Sequence, residues 1–323
     1  MGTTHCGATA VITGASSGIG RAAALAFARE GANLVLAARR ERLLREVAVG
    51  CKALGVSAVV VPTDVTDAEA VEELARRAVA ESGSLEVWVN NAGVSALGRL
   101  DEVPLEAIRR VVDTNLLGYV HGARAAIPRF RERGSGVLVN NASVLGHTGG
   151  PYVAAYAMTK FAIRGLTESL RQELRALPDV HVCTVSPGSI DTPFFQHVAN
   201  FTGRAPKALR PVVAPERVAR AMVSLAKRPR RESIVGGSAR TIALQRVLAP
   251  PLHERLFAKQ IENDHFQDRP AGPTFGNLFE PMEEGAGETG GWKDLHAGRG
   301  RKTALAAAGV AVPALVAGAW LRR

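Results

Sequence analysis

Cysteine is scarce in this chain, and the few cysteines fit neither of the usual structural roles. The 323 residues include three cysteines, Cys6, Cys51 and Cys183, which lie far apart. An odd number of well-separated cysteines argues against a disulfide framework. No His or Cys pair has the spacing of metal ligands, so we expect no metal site. A reducing, cytoplasmic compartment suits this cysteine usage best.

The N-terminal stretch lacks the marks of a targeting segment. MGTTHCGATAVITG has no charged region followed by an apolar one, so we expect no secretion signal. It departs from the myristoylation pattern at Cys6, where that pattern requires Ser or Thr.

Acidic residues are outnumbered, and the excess of basic residues is local. The formal net charge is +10, and nine basic residues accompany one acid, Glu216, between Arg204 and Arg231. No aromatic residues interleave these charges and no nucleic-acid-binding motif is present, so we expect no nucleic-acid partner. Such a run is ordinarily a solvated face. The alternative is attraction of acidic substrates or of an anionic membrane surface.

Short apolar runs alternate with amphipathic helical segments from residue 8 to about 236. The predicted strands are ATAVIT, NLVLAA, SAVVVPTD, LEVWVN, GVLVNNAS, VHVCTVSPG and SIVGG, and helical patterns cover 19–30, 67–82, 105–133 and 156–177. Continuous apolar strands indicate burial on both faces. The alternation predicts an α/β fold of Rossmann type, a doubly wound parallel sheet of about seven strands with helices on both faces.

The composition changes beyond residue 262. We assign residues 1–262 to one catalytic domain, with a lid at about 194–230. Residues 263–302 are rich in Gly, Pro and acids and show no sustained period. They are predicted to form an irregular or disordered linker, in which FGNLFEP is a candidate for docking on the domain.

Residues 303–323 form an apolar C-terminal segment. Within it, ALAAAGVAVPALVAGAWL (304–321) has eighteen residues without a charge. As a helix it would be about 27 Å long, close to the ~30 Å hydrocarbon core of a bilayer. Eight alanines and Pro313 weaken the case for insertion. Two interpretations stay open: a membrane anchor tethering a cytoplasmic domain, or a helix that docks on the domain or another subunit.

The stretch VITGASSGIGRAAALAFAREG runs from a strand through a glycine loop into a helix. Gly14, Gly18 and Gly20 permit a tight turn and a close backbone approach to a pyrophosphate. The next strand ends in Arg39 and Arg40, where a dinucleotide fold usually has an acid for the ribose 2′-hydroxyl. Guanidinium groups suit a 2′-phosphate, so NADP is favoured over NAD.

Tyr156 and Lys160 lie four residues apart in the helical stretch AAYAMTKFAIRGL. That spacing places both side chains on one helix face. An ammonium near a phenol favours the phenolate, so the pair could act as an acid–base group. A half-buried tyrosine above a solvated lysine is the ordinary alternative.

Taken together, these motifs resemble the short-chain dehydrogenase/reductase family. The glycine loop, NNAG at 90–93, Ser143, the Tyr156 and Lys160 pair, and SPGSIDTP at 186–193 follow in the family's order. The resemblance covers residue 8 to about 240. It implies an NADP-dependent oxidoreductase that transfers hydride between NADP(H) and a carbonyl or alcohol substrate. The aromatic stretch FFQHVANF that follows favours an apolar substrate.

The resemblance also implies roles for single residues. Tyr156 would exchange a proton with the substrate oxygen, Lys160 would tune Tyr156 and bind the nicotinamide ribose, and Ser143 would orient the substrate. Asn115 would hold a water that links Lys160 to solvent. Family members commonly pair through the helices carrying Asn115 and Tyr156, which implies a homo-oligomer. Cofactor contacts are implied at Gly14, Ser16, Ser17, Gly18, Ile19, Gly20, Arg39, Arg40, Asp64, Val65, Asn91, Tyr156, Lys160, Ile190 and Thr192.

Two other functions remain as alternatives. One is a 3-oxoacyl thioester reductase of lipid metabolism, whose basic lid would hold a phosphopantetheine carrier. The other is a non-catalytic scaffold that binds NADP. The complete set of Asn115, Ser143, Tyr156 and Lys160 argues against a scaffold, because binding alone would not require Tyr156.

Overall fold

A computed structural model describes residues 7–293 of the chain. Its strands are β1 (Thr9–Thr13), β2 (Asn33–Ala38), β3 (Ala58–Pro62), β4 (Val87–Asn90), β5 (Ala96–Leu97), β6 (Gly136–Asn141), β7 (Val180–Pro187), β8 (Ala199–Asn200), β9 (Arg204–Pro206), β10 (Glu232–Val235) and β11 (Phe266–Pro270). Its α-helices are α1 (Gly18–Arg29), α2 (Glu41–Lys52), α3 (Ala68–Ser82), α4 (Leu105–Val112), α5 (Gly118–Arg133), α6 (Ala154–Glu173), α7 (Phe194–His197), α8 (Pro215–Lys227), α9 (Gly237–Leu248) and α10 (Pro250–Asp264).

Seven strands form one sheet in the order β10-β7-β6-β4-β1-β2-β3, and every neighbouring pair is parallel. Each of the seven predicted runs supplies one of these strands, so the predicted Rossmann-type sheet is confirmed. The order reverses at β1, which lies between β2 and β4. A crevice therefore opens at the carboxyl ends of the strands at this position, where open α/β sheets bind their ligands.

Both faces of the sheet are covered, because successive strand residues point to opposite sides. Ile12 and Leu36 pack with α1, α2 and α8 in one core, whereas Val11 and Val35 pack with α3, α5 and α6 in the other. Burial on both faces explains why the strands read as continuous apolar runs rather than as alternating patterns.

The predicted helical segment 105–133 is divided. A π-helical turn at Asp113–Leu117 separates α4 from α5. Such turns insert a residue into the helix and occur often at functional sites. A periodicity argument does not detect one, because a single extra residue shifts the apolar stripe only slightly.

The region after the seventh sheet strand folds onto the domain. Helices α9 and α10 are followed by β11, which pairs antiparallel with β9. Residues 271–293 then run along the domain as irregular structure held by hydrogen bonds. Within the segment assigned as a lid, α8 packs against α1 in the core, and Phe194, Phe195, His197 and residues 209–211 border the cleft.

No helix within residues 7–293 is both long and apolar enough to cross a bilayer. The segment 303–323, assigned as an anchor or a docking helix, lies outside the described residues, as does the end of the predicted linker.

Two helical glycines provide a test of the packing between the sheet and α5. A Cβ on Gly122 would lie 2.2 Å from Asn90 Oδ1 and 2.6 Å from Trp88 Nε1, which hydrogen-bond each other at 2.7 Å inside the core. Gly122→Ala is expected to lower the free energy of unfolding by about 1–3 kcal/mol, because overpacking forces these groups apart. Urea denaturation measures the change.

The matched control is Gly165→Ala in α6, where a Cβ meets no atom within 4 Å. Alanine should stabilise an exposed helix interior there by about 0.5–1 kcal/mol. Equal effects of the two substitutions would contradict the packing described for α5.

Candidate active site

The glycine loop between β1 and α1 forms one wall of the cleft. Gly14 has φ of 66°, and a Cβ there would lie 2.8 Å from the Ala92 Cα. A Cβ on Gly20 would lie 2.1 Å from the Gly14 carbonyl oxygen. Any side chain at either position would break this turn, which brings bare backbone to the cleft as a pyrophosphate site requires.

Asn91 braces this loop from the end of β4. Its Nδ2 donates to the Thr13 carbonyl at 2.9 Å, and its Oδ1 accepts from Asn141 Nδ2 at 2.9 Å. The carboxamide thus ties β1, β4 and β6 together at their carboxyl ends. Its assigned role in lining an adenosine pocket stays a prediction.

The two arginines after β2 have different partners. Arg40 Nη2 donates to Ser17 Oγ at 2.7 Å and to Ser16 Oγ at 3.1 Å. Arg39 instead donates to main-chain carbonyls of residues 277–279. Arg40 and the two serines therefore form a cluster of donors beside the glycine loop, while Arg39 binds the C-terminal segment.

Asp64 follows β3, the strand next to β2, and interacts electrostatically with Arg39. Burial alone would raise its pKa, but hydrogen bonds from Thr66 and from Arg110 outweigh it and hold the pKa below the ordinary value. The Arg110 Nη2 to Asp64 Oδ2 distance is 2.5 Å. Asp64 is therefore an anchored carboxylate. Its neighbour Val65 also lines the cleft.

The loop after β7 closes the other end of the cleft. Ile190 is buried and its backbone pairs with Val213, while Thr192 lines the cleft beside Gly18. Both predicted residues therefore line the cleft, and their assigned contacts with the nicotinamide stay predictions.

Tyr156 and Lys160 meet on the first turns of α6. Lys160 is 2% exposed, and its Nζ lies 5.3 Å from the centre of the Tyr156 ring and 5.1 Å from that of Tyr119. Nζ donates to the Asn141 carbonyl at 2.8 Å. The two side chains share one poorly hydrated space, and the lysine is not a solvated surface residue.

The two pKa values respond to that environment. Burial lowers the pKa of Lys160 to about 7. Burial raises the pKa of Tyr156 to about 12, and its hydrogen bond with Ser143 opposes this rise. The protein groups alone therefore do not lower the pKa of Tyr156 as expected. Desolvation disfavours both the tyrosine phenolate and the lysine ammonium.

Ser143 and Asn115 flank this pair in different ways. Ser143 lies beyond β6, where its Oγ also accepts from the Leu145 amide at 3.1 Å. Asn115, in the π-helical turn, is fully buried behind the cleft, and its carboxamide bonds both the amide and the carbonyl of Val94 at 2.8 and 2.9 Å. The hydrogen bonds of the Asn115 side chain are therefore made to Val94. The predicted water near Lys160 would have to hydrogen-bond to the Asn115 main chain.

One cavity of about 740 Å³ joins these elements. Apart from Asn115, every predicted catalytic and cofactor residue lines it. Its lining includes the apolar side chains of Leu145, Val153, Phe194, Leu209, Phe257 and Ile261, together with the polar side chains of Arg210, Gln260 and His265. Its volume is typical of a small-molecule site.

Comparison with known proteins agrees with this geometry. Residues 8–202 match the model of the short chain dehydrogenase family. The chain belongs to the short-chain dehydrogenase family. The fold, the motif order and this match together make it an oxidoreductase of that family, which confirms the family prediction.

Individual relatives extend the comparison. The uncharacterized oxidoreductase YxnA of Bacillus subtilis is 39% identical over 266 residues, 81% of this chain and 75% of that protein. An alcohol dehydrogenase of Thermococcus sibiricus complexed with 5-hydroxy-NADP has a TM-score of 0.63 and 31% identity, covering 71% of this chain and 95% of its own. A Burkholderia phymatum short chain dehydrogenase/reductase in complex with NAD has a TM-score of 0.70 and 27% identity, covering 78% and 97%.

This short-chain dehydrogenase also uses residues that the sequence analysis missed. The Asn141 carbonyl accepts from both Lys160 Nζ and Tyr119 Oη, the latter at 2.9 Å. Arg110 holds Asp64, and Asp191 holds the C-terminal segment. The Asn-Asn pair at the end of β6 was a visible signal for Asn141, but a main-chain acceptor leaves no mark in a sequence.

In the described part of the chain, no three His, Cys, Asp or Glu side chains are grouped to hold a metal ion. His147 contacts Glu232 at 2.8 Å, and His197 Nε2 donates to the Glu284 carbonyl at 2.6 Å. Burial lowers the pKa of His197, opposed by its bond to Glu284.

Proposed function

We propose that this chain is an NADP-dependent oxidoreductase that interconverts a carbonyl group and an alcohol on an apolar substrate. The observation that carries the proposal is the pairing of Tyr156 with buried Lys160 and with Ser143. This group lies at the junction of an apolar cavity and a glycine-loop cleft. A site that only bound a dinucleotide would have no need of a buried phenol and ammonium at that junction.

The residues present fit an NADP molecule. The side-chain-free backbone at Gly14 and Gly20 suits a pyrophosphate, and the N-terminus of α1 adds a positive dipole. Arg40 with Ser16 and Ser17 suits a 2′-phosphate. The structural relatives include one complex with an NADP derivative and one with NAD. The preference for NADP therefore rests on the arginine and serine donors of this chain.

When bound, the nicotinamide supplies or accepts the hydride. The residues of this chain transfer the proton. With a pKa of about 12, Tyr156 is protonated at neutral pH and ready to donate to a carbonyl oxygen. Ser143 lies beside it to orient that oxygen. Lys160, with a pKa of about 7, is partly protonated there, and its charge favours the phenolate left behind.

The cavity wall sets the substrate class. Phe194 packs edge-on to Tyr156 with ring centres 5.8 Å apart, so an apolar surface begins next to the reacting hydroxyl. For a thioester carrier the basic residues of 204–231 would need to surround the entrance. Arg210 lines the cleft, but Arg217 and Arg220 lie on the exposed face of α8. These positions favour a free, apolar carbonyl compound.

Self-association is proposed through α5 and α6. Leu117, Met158 and Phe161, in or beside these helices, are 42%, 44% and 44% exposed. Apolar side chains of this size on adjacent helices suit contact with a second copy of the chain.

Tyr156→Phe tests the catalytic proposal. We expect NADPH oxidation with apolar ketones, aldehydes or acyl thioesters to fall by at least about 100-fold, the usual contribution of a general acid. The affinity for NADPH should stay near that of the wild type, because the ring is retained. Turnover that survives the substitution would contradict the assignment, and a wild type that binds NADPH but turns over no member of the panel would favour the scaffold alternative.

Arg40→Ala tests the cofactor preference. Loss of a charge-assisted contact to the 2′-phosphate should raise the Kd for NADPH by about 10–100-fold and leave the Kd for NADH nearly unchanged. Titration with each cofactor gives both values. Arg45→Ala is the control, because Arg45 lies on α2 and pairs with Glu41. Equal weakening of both cofactors in Arg40→Ala would contradict a 2′-phosphate site at Arg40.

A further inference from the structure

Residues 276–292, which we call the strap, run across the dinucleotide half of the cleft. At one end the Asn277 amide donates to the His197 carbonyl at 2.8 Å. At the other end the Trp292 amide donates to Asp191 Oδ1 and its Nε1 donates to the Thr192 carbonyl, both at 2.8 Å. The strap is thus fastened at both ends to the segment that follows β7.

Two arginines, Arg39 after β2 and Arg110 on α4, hold the first part of the strap. Arg39 Nη2 donates to the Asn277 carbonyl at 2.6 Å, and its Nη1 donates to those of Leu278 and Phe279 at 3.2 and 2.9 Å. Arg110 Nε donates to the Leu278 carbonyl at 2.9 Å. Leu278 itself is fully buried. The strap carbonyls therefore accept the hydrogen bonds that the Arg39 guanidinium donates.

The middle of the strap reaches the glycine loop. The Met282 carbonyl accepts from Arg40 Nη1 at 2.8 Å. The Gly287 carbonyl accepts from the amide of Gly18, the first residue of α1, at 3.0 Å. The strap therefore contacts the same two elements that would receive the 2′-phosphate and the pyrophosphate.

We propose that the strap is the outer wall of the dinucleotide site, covers the bound cofactor and controls its exchange. The proposal rests on the proposed function, since the ligand is the dinucleotide. The strap covers the cleft without filling it: the cavity of about 740 Å³ remains beneath it, and Asn277, Pro281 and Met282 line that cavity.

Asn277 supplies a specific contact for the ligand. Its Oδ1 is buried and has no hydrogen-bond partner among the described residues. Buried polar atoms are rarely left unpaired. An acceptor on this wall, close to Arg39, suits a donor on the adenosine half, such as the adenine amino group. We infer that Asn277 is a cofactor-binding residue of this chain.

The charges of the strap are compatible with covering an anion. Its Glu283 pairs with Arg42 at 2.8 Å, and its Glu288 lies 3.9 Å from Arg21. Neither glutamate is among the cavity-lining residues of the described chain. The hydrogen bonds that Arg39 and Arg40 donate to the strap go to main-chain carbonyls, and the nearby Glu280 and Glu283 offset part of their charge.

Two strap glycines allow a matched test. A Cβ on Gly290 would lie 2.3 Å from the Thr192 carbonyl oxygen and 2.4 Å from Trp292 Nε1, whereas a Cβ on Gly287 would meet nothing closer than 3.5 Å. Gly290→Ala should therefore lift the strap, and Gly287→Ala should not. We expect Gly290→Ala to release both NADPH and NADH about tenfold faster, corresponding to about 1.4 kcal/mol. Stopped-flow fluorescence of NADPH displaced by excess NADP⁺ measures the rate.

Hydrogen exchange of the strap amides, with and without NADPH, gives a readout independent of activity. Binding should protect the strap in the wild type and in Gly287→Ala, and less so in Gly290→Ala. Asn277→Leu, which keeps the size but removes the acceptor, should raise the Kd for NADPH about fivefold. This second variant leaves the strap's main-chain bonds in place.

The outcomes separate this proposal from the proposed function. Equal rates of NADPH release from the wild type, Gly287→Ala and Gly290→Ala would overturn the proposal that the strap covers the cofactor. Tighter NADPH binding in Gly290→Ala would overturn it as well, and would show that the strap competes with the cofactor for the site. If the wild type bound neither NADPH nor NADH, the proposed function itself would fail.

Discussion

The hydrogen bond from Lys160 Nζ to the Asn141 carbonyl is the contact on which the catalytic geometry depends. It joins α6 to the end of β6, two residues before Ser143, and so fixes Tyr156 relative to Ser143. An ammonium out of water is costly unless it is paired. Here one carbonyl and two aromatic rings replace its hydration, and its pKa accordingly falls to about 7. This pKa lets Lys160 carry or release a proton near neutral pH.

The parallel sheet explains why these groups meet a dinucleotide site. Every strand of the main sheet ends at the same edge, so the glycine loop, Asn91 and Ser143 come together from β1, β4 and β6. The strap adds a wall that the sheet cannot provide, because the crevice at its switch point opens to solvent. The proposed catalytic groups thus come from the strand ends and from α6, whereas the proposed cover over the cofactor comes from residues more than 230 positions after the glycine loop.

The sheet and the glycine loop could be predicted from sequence, for physical reasons. The sheet strands are buried on both faces and so appear as apolar runs, and Gly14 and Gly20 are required by contacts under 3 Å. The strap could not be predicted in detail, because its carbonyls give no side-chain signal. Arg39 was assigned to a phosphate from its position after β2, but its partners are carbonyls of residues 277–279. Likewise, spacing revealed the Tyr156–Lys160 pair but not the desolvation that raises one pKa and lowers the other.

The central claim is that Tyr156 exchanges a proton with the substrate oxygen. Because an oxidised nicotinamide is positively charged, it would join Lys160 in favouring the phenolate and lower the pKa of Tyr156. The most direct test is titration of the tyrosines by NMR of isotope-labelled protein, with and without NADP⁺. The chain has three tyrosines, so Tyr156→Phe assigns the signal. The account predicts a Tyr156 pKa of about 12 in the free protein and a clear fall on binding NADP⁺. A pKa that NADP⁺ leaves unchanged would contradict it.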